Sequence, residues 1–235
     1  MTNFKTQMSN QVQMTKYQKF LISGFWILFV IWILSFGFSN ASAQQAPEFI
    51  LTWKAANYAP SGYQGRVFPT SDTKVDAALE LIDGGKLANL SGAEIRWYVN
   101  NNLQKSGAGL KTFTFNADGT RGDQTLRVSI NDYRGLTLEK TITIPLASPE
   151  LVIDGGPNAF RALPYFFNFG DVRKANFTWS ANGAEVAGDP NNPDVLFLDT
   201  RNLAPGTEIV LEASINNVFR ALETAVESIR FYLPQ

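Results

Sequence analysis

Tyr58, Tyr63 and Arg66 stand in the stretch Asn57-Tyr58-Ala59-Pro60-Ser61-Gly62-Tyr63-Gln64-Gly65-Arg66. Two flat rings beside glycine and proline are suited to stacking on a sugar or a peptide, and loops on a rigid scaffold commonly carry binding, so these three are the candidate ligand-binding residues. A second stretch, Asn116-Ala117-Asp118-Gly119-Thr120-Arg121-Gly122-Asp123, mixes side-chain oxygens with glycines and contains Arg-Gly-Asp. Its spacing differs from that of a twelve-residue calcium loop and the terminal bidentate glutamate is missing, so a plain turn is the first expectation and a cation site the second. Asp189-Pro190-Asn191-Asn192-Pro193-Asp194 reads in the same way, as a rigid loop before a cation site. Asn89-Leu90-Ser91 and Asn176-Phe177-Thr178 have the form of glycosylation sequons.

Histidine and cysteine are both absent from the 235 residues. Without histidine the commonest general base and metal ligand is missing, as is every serine or cysteine triad of the usual kind. No glycine-rich phosphate loop, metal-ligand cluster or nucleophile with an evident base is present. The residues therefore point away from an enzyme and require no cofactor or metal, with paired carboxylates or a lysine as the remaining catalytic devices. Without cysteine an exported domain must be held by its own core, and the disulfide that bridges the sheets of antibody domains is excluded.

Phe20 to Phe38 form an uncharged apolar run, preceded by Lys16 and Lys19 and followed by Ala41-Ser42-Ala43. The run is long enough for a bilayer, and the basic flank with a small-x-small triplet marks an export signal. The basic flank stays cytoplasmic, which sends the rest of the chain across the membrane, to the periplasm, the cell surface or the medium. Residues 1–43 are thus a signal peptide cleaved after Ala43, or a retained anchor in which residues 20–38 contact the membrane. Three of the 20 basic residues (Lys5, Lys16, Lys19) and none of the 21 acidic ones lie in this segment, leaving 17 bases against 21 acids beyond it. That balance offers no basic stripe for a nucleic acid.

From Phe49 onward, short β-rich runs alternate with Gly, Pro, Asn and Asp clusters at the spacing of an antiparallel sandwich. Phe49–Trp53, Val75–Leu81, Ile95–Val99, Thr112–Phe115, Thr125–Ile130 and Glu139–Ile144 each place apolar residues two apart. The order then repeats. Phe177-Thr178-Trp179 with Asn182-Gly183 matches Ile95-Arg96-Trp97 with its asparagine turn, Val195–Leu198 matches the Phe113 strand, and Glu208–Asn217 matches Gln124–Tyr133. Trp97 and Trp179 are expected at the centre of two cores. Among Phe160, Tyr165, Phe166, Phe167 and Phe169, some are expected to fill the contact between the halves. The boundary falls at Ala147-Ser148-Pro149, giving domains 47–147 and 148–235, with few joining residues and limited swing.

Both halves resemble the immunoglobulin-like domains, including the polycystic-kidney-disease type, found in tandem on bacterial secreted and surface proteins. The resemblance is carried by Trp97 with Asn100, Trp179 with Asn182-Gly183, Gly122 to Asp132 and Gly206 to Asn217. It implies an all-β fold of two tandem immunoglobulin-like sandwiches behind the N-terminal apolar segment. The long Ala55–Thr73 segment departs from the pattern of the first half. The resulting expectation is a non-catalytic surface, spacer or adhesion module with a protein or glycan partner. A carbohydrate-binding module stacking sugars on Tyr58 and Tyr63 is the rival, and an accessory subunit of an envelope or pilus assembly is a third reading.

Overall fold

The computed structural model describes residues 46–156 and 158–234. Among them no helix is long and apolar enough to cross a membrane. The apolar run 20–38 and the Ala43 cleavage position lie outside the described residues. Those that are described fold as strands joined by turns, with two single 3-10 turns, Gly119–Arg121 and Val172–Lys174.

The first half contributes β1 (Glu48–Ala55), β2 (Lys74–Asp83), β3 (Lys86–Leu87), β4 (Glu94–Val99), β5 (Asn102–Ala108), β6 (Thr112–Asn116), β7 (Gln124–Tyr133) and β8 (Leu136–Ile144). Strand β2 pairs with β1 on one side and with β3 and β6 on the other, while the second sheet runs β5-β4-β7-β8, every pair antiparallel. Alternation closes the sheets on each other. Val75, Ala77, Leu79 and Leu81 of β2 face Ile95, Trp97 and Val99 of β4 and Leu126, Val128 and Ile130 of β7 in one buried cluster. Trp97 is fully buried, and its ring stacks on Phe113 at 5.5 Å.

The second half has β9 (Glu150–Gly155), β10 (Ala159–Tyr165), β11 (Ala175–Ala181), β12 (Ala184–Val186), β13 (Val195–Phe197), β14 (Glu208–Asn217) and β15 (Thr224–Tyr232). Its sheets run β13-β10-β9 and β12-β11-β14-β15. Ile153, Phe160, Phe167, Trp179, Leu196, Leu211 and Ile215 belong to its separate core. Apart from the two-residue β3, which extends the first sheet of the first half, the two halves share one strand order: the first, second and crossing strands make one sheet, and four more make the facing sheet. This is the immunoglobulin-like arrangement, present twice in tandem.

Local chemistry explains the matched turns. Asn100 and Asn101 between β4 and β5, and Asn182 and Gly183 between β11 and β12, all have positive φ, as a two-residue turn matched to strand twist requires. Asn100 Oδ1 accepts Thr125 N–H at 2.9 Å, and Asn182 Oδ1 accepts Val210 N–H at 2.8 Å, so each turn is pinned to the long strand beside it.

Some elements carry no alternation to announce them. Strand β5 is exposed along nearly its whole length, so its sequence Asn-Leu-Gln-Lys-Ser-Gly-Ala shows no buried face. Strand β10 ends in Pro164-Tyr165, and proline argues against a strand; Pro164 is nevertheless accommodated opposite Leu151.

Candidate functional site: the joint between the sandwiches

The segment between β1 and β2 ends in the tight turn Thr70-Ser71-Asp72-Thr73. Thr73 N–H bonds Thr70 O at 3.2 Å, and Thr70 N–H returns to Thr73 Oγ1 at 2.9 Å. Asp72 takes φ of 59°, a conformation aspartate tolerates better than most residues. The turn brings the two threonine hydroxyls within 3.1 Å of each other, both buried, and aims them at the second sandwich.

There they meet Asn168 and Glu223. Thr73 Oγ1 donates to Asn168 Oδ1 at 2.9 Å, and Asn168 Nδ2 donates to Thr70 Oγ1 at 2.9 Å, to Ser71 O at 3.0 Å and to Glu223 Oε1. The other carboxylate oxygen of Glu223 accepts Asn168 N–H at 3.0 Å and Asn217 Nδ2 at 2.7 Å. Glu223 is 7 % exposed, and no ion pair among the described residues includes it. A buried carboxylate is tolerable only when its oxygens are hydrogen-bonded, and bonds to a charged acceptor contribute about 1.5–3 kcal/mol each. The nearby Arg220 pairs instead with Asp72, at 3.4 Å and largely in solvent, an interaction of about 0–1 kcal/mol.

Two further contacts cross the joint. Tyr58 N–H bonds Phe167 O at 2.7 Å and Phe166 N–H bonds Tyr58 O at 2.8 Å, an isolated antiparallel bridge between the first sandwich's loop and the second sandwich. Asn57 Nδ2 donates to Phe166 O at 2.6 Å and to Thr70 Oγ1 at 3.0 Å. Beside them runs a chain of rings. Trp53 meets Phe68 at 6.2 Å, Phe68 meets Phe166 at 5.9 Å, and Phe166 meets Tyr63 at 6.2 Å. Of the aromatic cluster 160–169, Phe166 fills the contact between the halves; Phe160, Phe167 and Phe169 belong to the second core.

The structure places Tyr58, Tyr63 and Arg66 on this joint. The Tyr58 ring lies 5.0 Å from Phe169 and packs against the second core. Burial pushes its phenol above the ordinary range, Asp194 adds to the rise and Arg161 opposes it. Tyr63 sets its edge against Tyr165 at 5.4 Å and donates its hydroxyl to Arg66 O at 3.3 Å. The Arg66 guanidinium sits over Trp53, 5.0 Å from the ring centre. Tyr63 and Arg66 are therefore brought together, while Tyr58 faces the other way into the second core. Thr70, Thr73, Asn168 and Glu223, the polar centre of the joint, carry no sequence motif; the one available signal was the unusual length of Ala55–Thr73 between two strands.

The Arg-Gly-Asp charges are engaged within the first sandwich. Arg121 pairs with Asp118 at 3.1 Å, and Asp123 Oδ1 accepts Leu146 N–H at 3.1 Å. Asp118 also accepts the Thr120 hydroxyl at 2.6 Å, which holds its carboxyl below the ordinary range. No group of three or more acidic side chains among the described residues is arranged to hold a metal ion. A cleft of about 550 Å³ lies beside the joint between Thr70–Asp72, Leu146–Pro149 and Arg220–Glu223.

No family model matches the chain, and no curated protein matches it in sequence. Solved structures do align with it. The fibronectin(III)-like modules of Clostridium thermocellum CbhA match 79% of this chain and 95% of their own at 13% identity and a TM-score of 0.27. The three N-terminal domains of the bacteriophage RB49 highly immunogenic outer capsid protein match over 80% and 70% respectively, at 12% identity and a TM-score of 0.32. The central fibronectin-III array of RIM-binding protein matches over 77% and 69%, at 12% identity and a TM-score of 0.29. The fold assignment rests on the sheet order and register described above.

Proposed function

We propose that residues 47–147 and 148–235 are two immunoglobulin-like modules acting together as one non-catalytic, extracytoplasmic spacer or adhesion unit. Residues 20–38 hold it at the membrane, or cleavage after Ala43 releases it. The observation that carries this reading is the joint. Contacts between domains of one chain are ordinarily small and allow relative motion. Here a buried carboxylate, three asparagines and two threonines interlock across the contact, with a backbone bridge and a chain of rings beside them. Such a joint suits a unit that presents its surfaces to a protein partner at a fixed angle. The apolar run with its basic flank and Ala41-Ser42-Ala43 supports export, and the absence of cysteine and histidine supports a role without chemistry.

Residual dipolar couplings on the full chain in detergent micelles test the reading. Both sandwiches are expected to share one alignment tensor. Asn168→Ala removes the amide that ties Thr70, Thr73 and Glu223 together; it is expected to cost about 1–3 kcal/mol and to split the tensor in two, with each sandwich still folded. Two independent tensors in the unaltered chain would sink the proposal.

A further inference from the structure

Among the described residues strand β6 pairs with β2 alone. Leu79 N–H bonds Lys111 O at 2.9 Å and Ala117 N–H bonds Thr73 O at 2.8 Å. Antiparallel geometry then directs the backbone groups of Phe113 and Phe115 toward β2, and those of Thr112, Thr114 and Asn116 away from it. Among the described residues these three outward N–H and C=O pairs have no hydrogen-bond partner, while Phe113 and Phe115 point their rings into the core.

Natural sheets guard such edges with charge, proline, bulges or a covering loop. The other edge strands here are guarded. Lys54 of β1, Lys86 of β3, Lys105 of β5, Lys140 of β8, Asp154 of β9, Glu185 of β12 and Arg230 of β15 mark them with charge. Strand β13, the counterpart of β6, is covered: Val195 N–H bonds Asn192 O at 2.8 Å and Asp189 N–H bonds Val195 O at 2.8 Å, so a proline-flanked loop lies along its outer side. Strand β6, Thr-Phe-Thr-Phe-Asn, has neither charge, glycine nor proline, and among the described residues nothing covers it. Against it runs an open groove of about 570 Å³ whose far wall includes Asn102 and Gln104. The groove's Asp118 and Arg121 neutralise each other at 3.1 Å.

We propose that β6 is a docking edge that accepts an extended, uncharged strand from a partner protein. This rests on the reading of the unit as a presenting module and names the surface presented. The incoming strand exchanges backbone hydrogen bonds with Thr112, Thr114 and Asn116, as the 189–192 loop does with Val195. Its alternate side chains are apolar and lie along the rims of Phe113, Phe115 and Val99; the others are neutral and polar, because a charge entering a self-neutralised groove would lose hydration without gaining a partner.

The test is residue-resolved amide exchange on the full chain in micelles, with a synthetic peptide of about eight alternating valine and threonine residues as probe. In the free chain Thr112, Thr114 and Asn116 are expected to exchange fast while Phe113 and Phe115 are protected. With the probe, the three outward amides slow by about tenfold or more. Thr114→Pro removes one outward donor that β2 does not use, which an edge strand tolerates; it is expected to weaken the probe by about tenfold and to leave Phe113 and Phe115 protected. Should that variant unfold, Thr114→Lys, which places a charge on the edge, is expected to weaken the probe likewise. Protection of the three amides in the free chain, protection that depends on protein concentration and so reports a second copy, or probe binding that is absent or indifferent to both substitutions would overturn the proposal. Two alignment tensors would leave these amides unaffected, so failure of the spacer reading is distinguishable from failure of this one.

Discussion

In the first sandwich Trp97 donates its indole N–H to Leu110 O at 2.8 Å; in the second, Trp179 donates to Pro193 O at 3.1 Å. Both carbonyls stand two residues before the strand that crosses to the other sheet, β6 and β13. The asparagine turns repeat as closely, as do Gly122 and Gly206, both at positive φ ahead of the long strands β7 and β14. The halves part company in their loops. Between β1 and β2 the first half carries residues 56–73, folded against its neighbour, whereas β9 passes to β10 through residues 156–158. Conversely, the loop that covers β13 has no counterpart over β6 among the described residues. The contacts that fix the scaffold recur, and the segments that join the sandwiches or lie along a sheet edge do not.

The deepest way to break the likeness is at the indoles. Trp97→Ala and Trp179→Ala are each expected to cost about 3–5 kcal/mol. If the joint couples the halves, each variant lowers the denaturation midpoint of both; residue-resolved amide exchange in denaturant would show instead a loss confined to one half if the cores are independent. A smaller effect belongs to the turns. Asn100→Ala and Asn182→Ala each place alanine at positive φ and delete the bond to the long strand, at about 1–2 kcal/mol, while the glycine variants retain the backbone freedom and lose less. Unequal costs in urea titrations would show that the two turns only look alike.

Acid should separate the halves by the least. In the second sandwich the hydrogen bonds of Arg173 and Arg201 hold Asp171 and Asp199 at about 2, and backbone donors from Asn191 lower Asp189. In the first, Asp118 is lowered by Thr120. Carboxylates lowered by folding favour the fold above their unfolded values, about pH 4, and the contribution disappears as the pH falls toward the folded value. The second sandwich is therefore expected to lose more melting temperature between about pH 4 and pH 2, and Arg173→Gln with Arg201→Gln should remove the excess. A larger acid loss in the first sandwich would contradict this.

Much of the scaffold was legible because burial leaves a period-two trace. Val75, Ala77, Leu79 and Leu81 show it plainly, as do Ile95, Trp97 and Val99, and Asn182-Gly183 names its own turn. Strand β5 left no trace because water covers it on both faces, and β10 was obscured by Pro164. The joint was legible only as an anomaly of length. Its polar centre joins residues as distant as Thr70 and Glu223, and no local pattern distinguishes a buried threonine or glutamate from a solvated one. Tyr58 and Tyr63 illustrate the same limit: composition suggested rings on display, and their surroundings depend on Phe169 and Tyr165, which lie a hundred residues on.

That distance also bears on how the molecule assembles. Asn57 and Phe166 are 109 positions apart, and Thr70 and Glu223 are 153 apart. Closing loops of that size costs entropy before any contact repays it, and domains generally form in the order they are synthesised. The first sandwich is therefore expected to condense around Trp97 while its long loop waits, and the clasp to engage only once the turn between β14 and β15 has delivered Glu223, as the last step in the assembly of the two bodies.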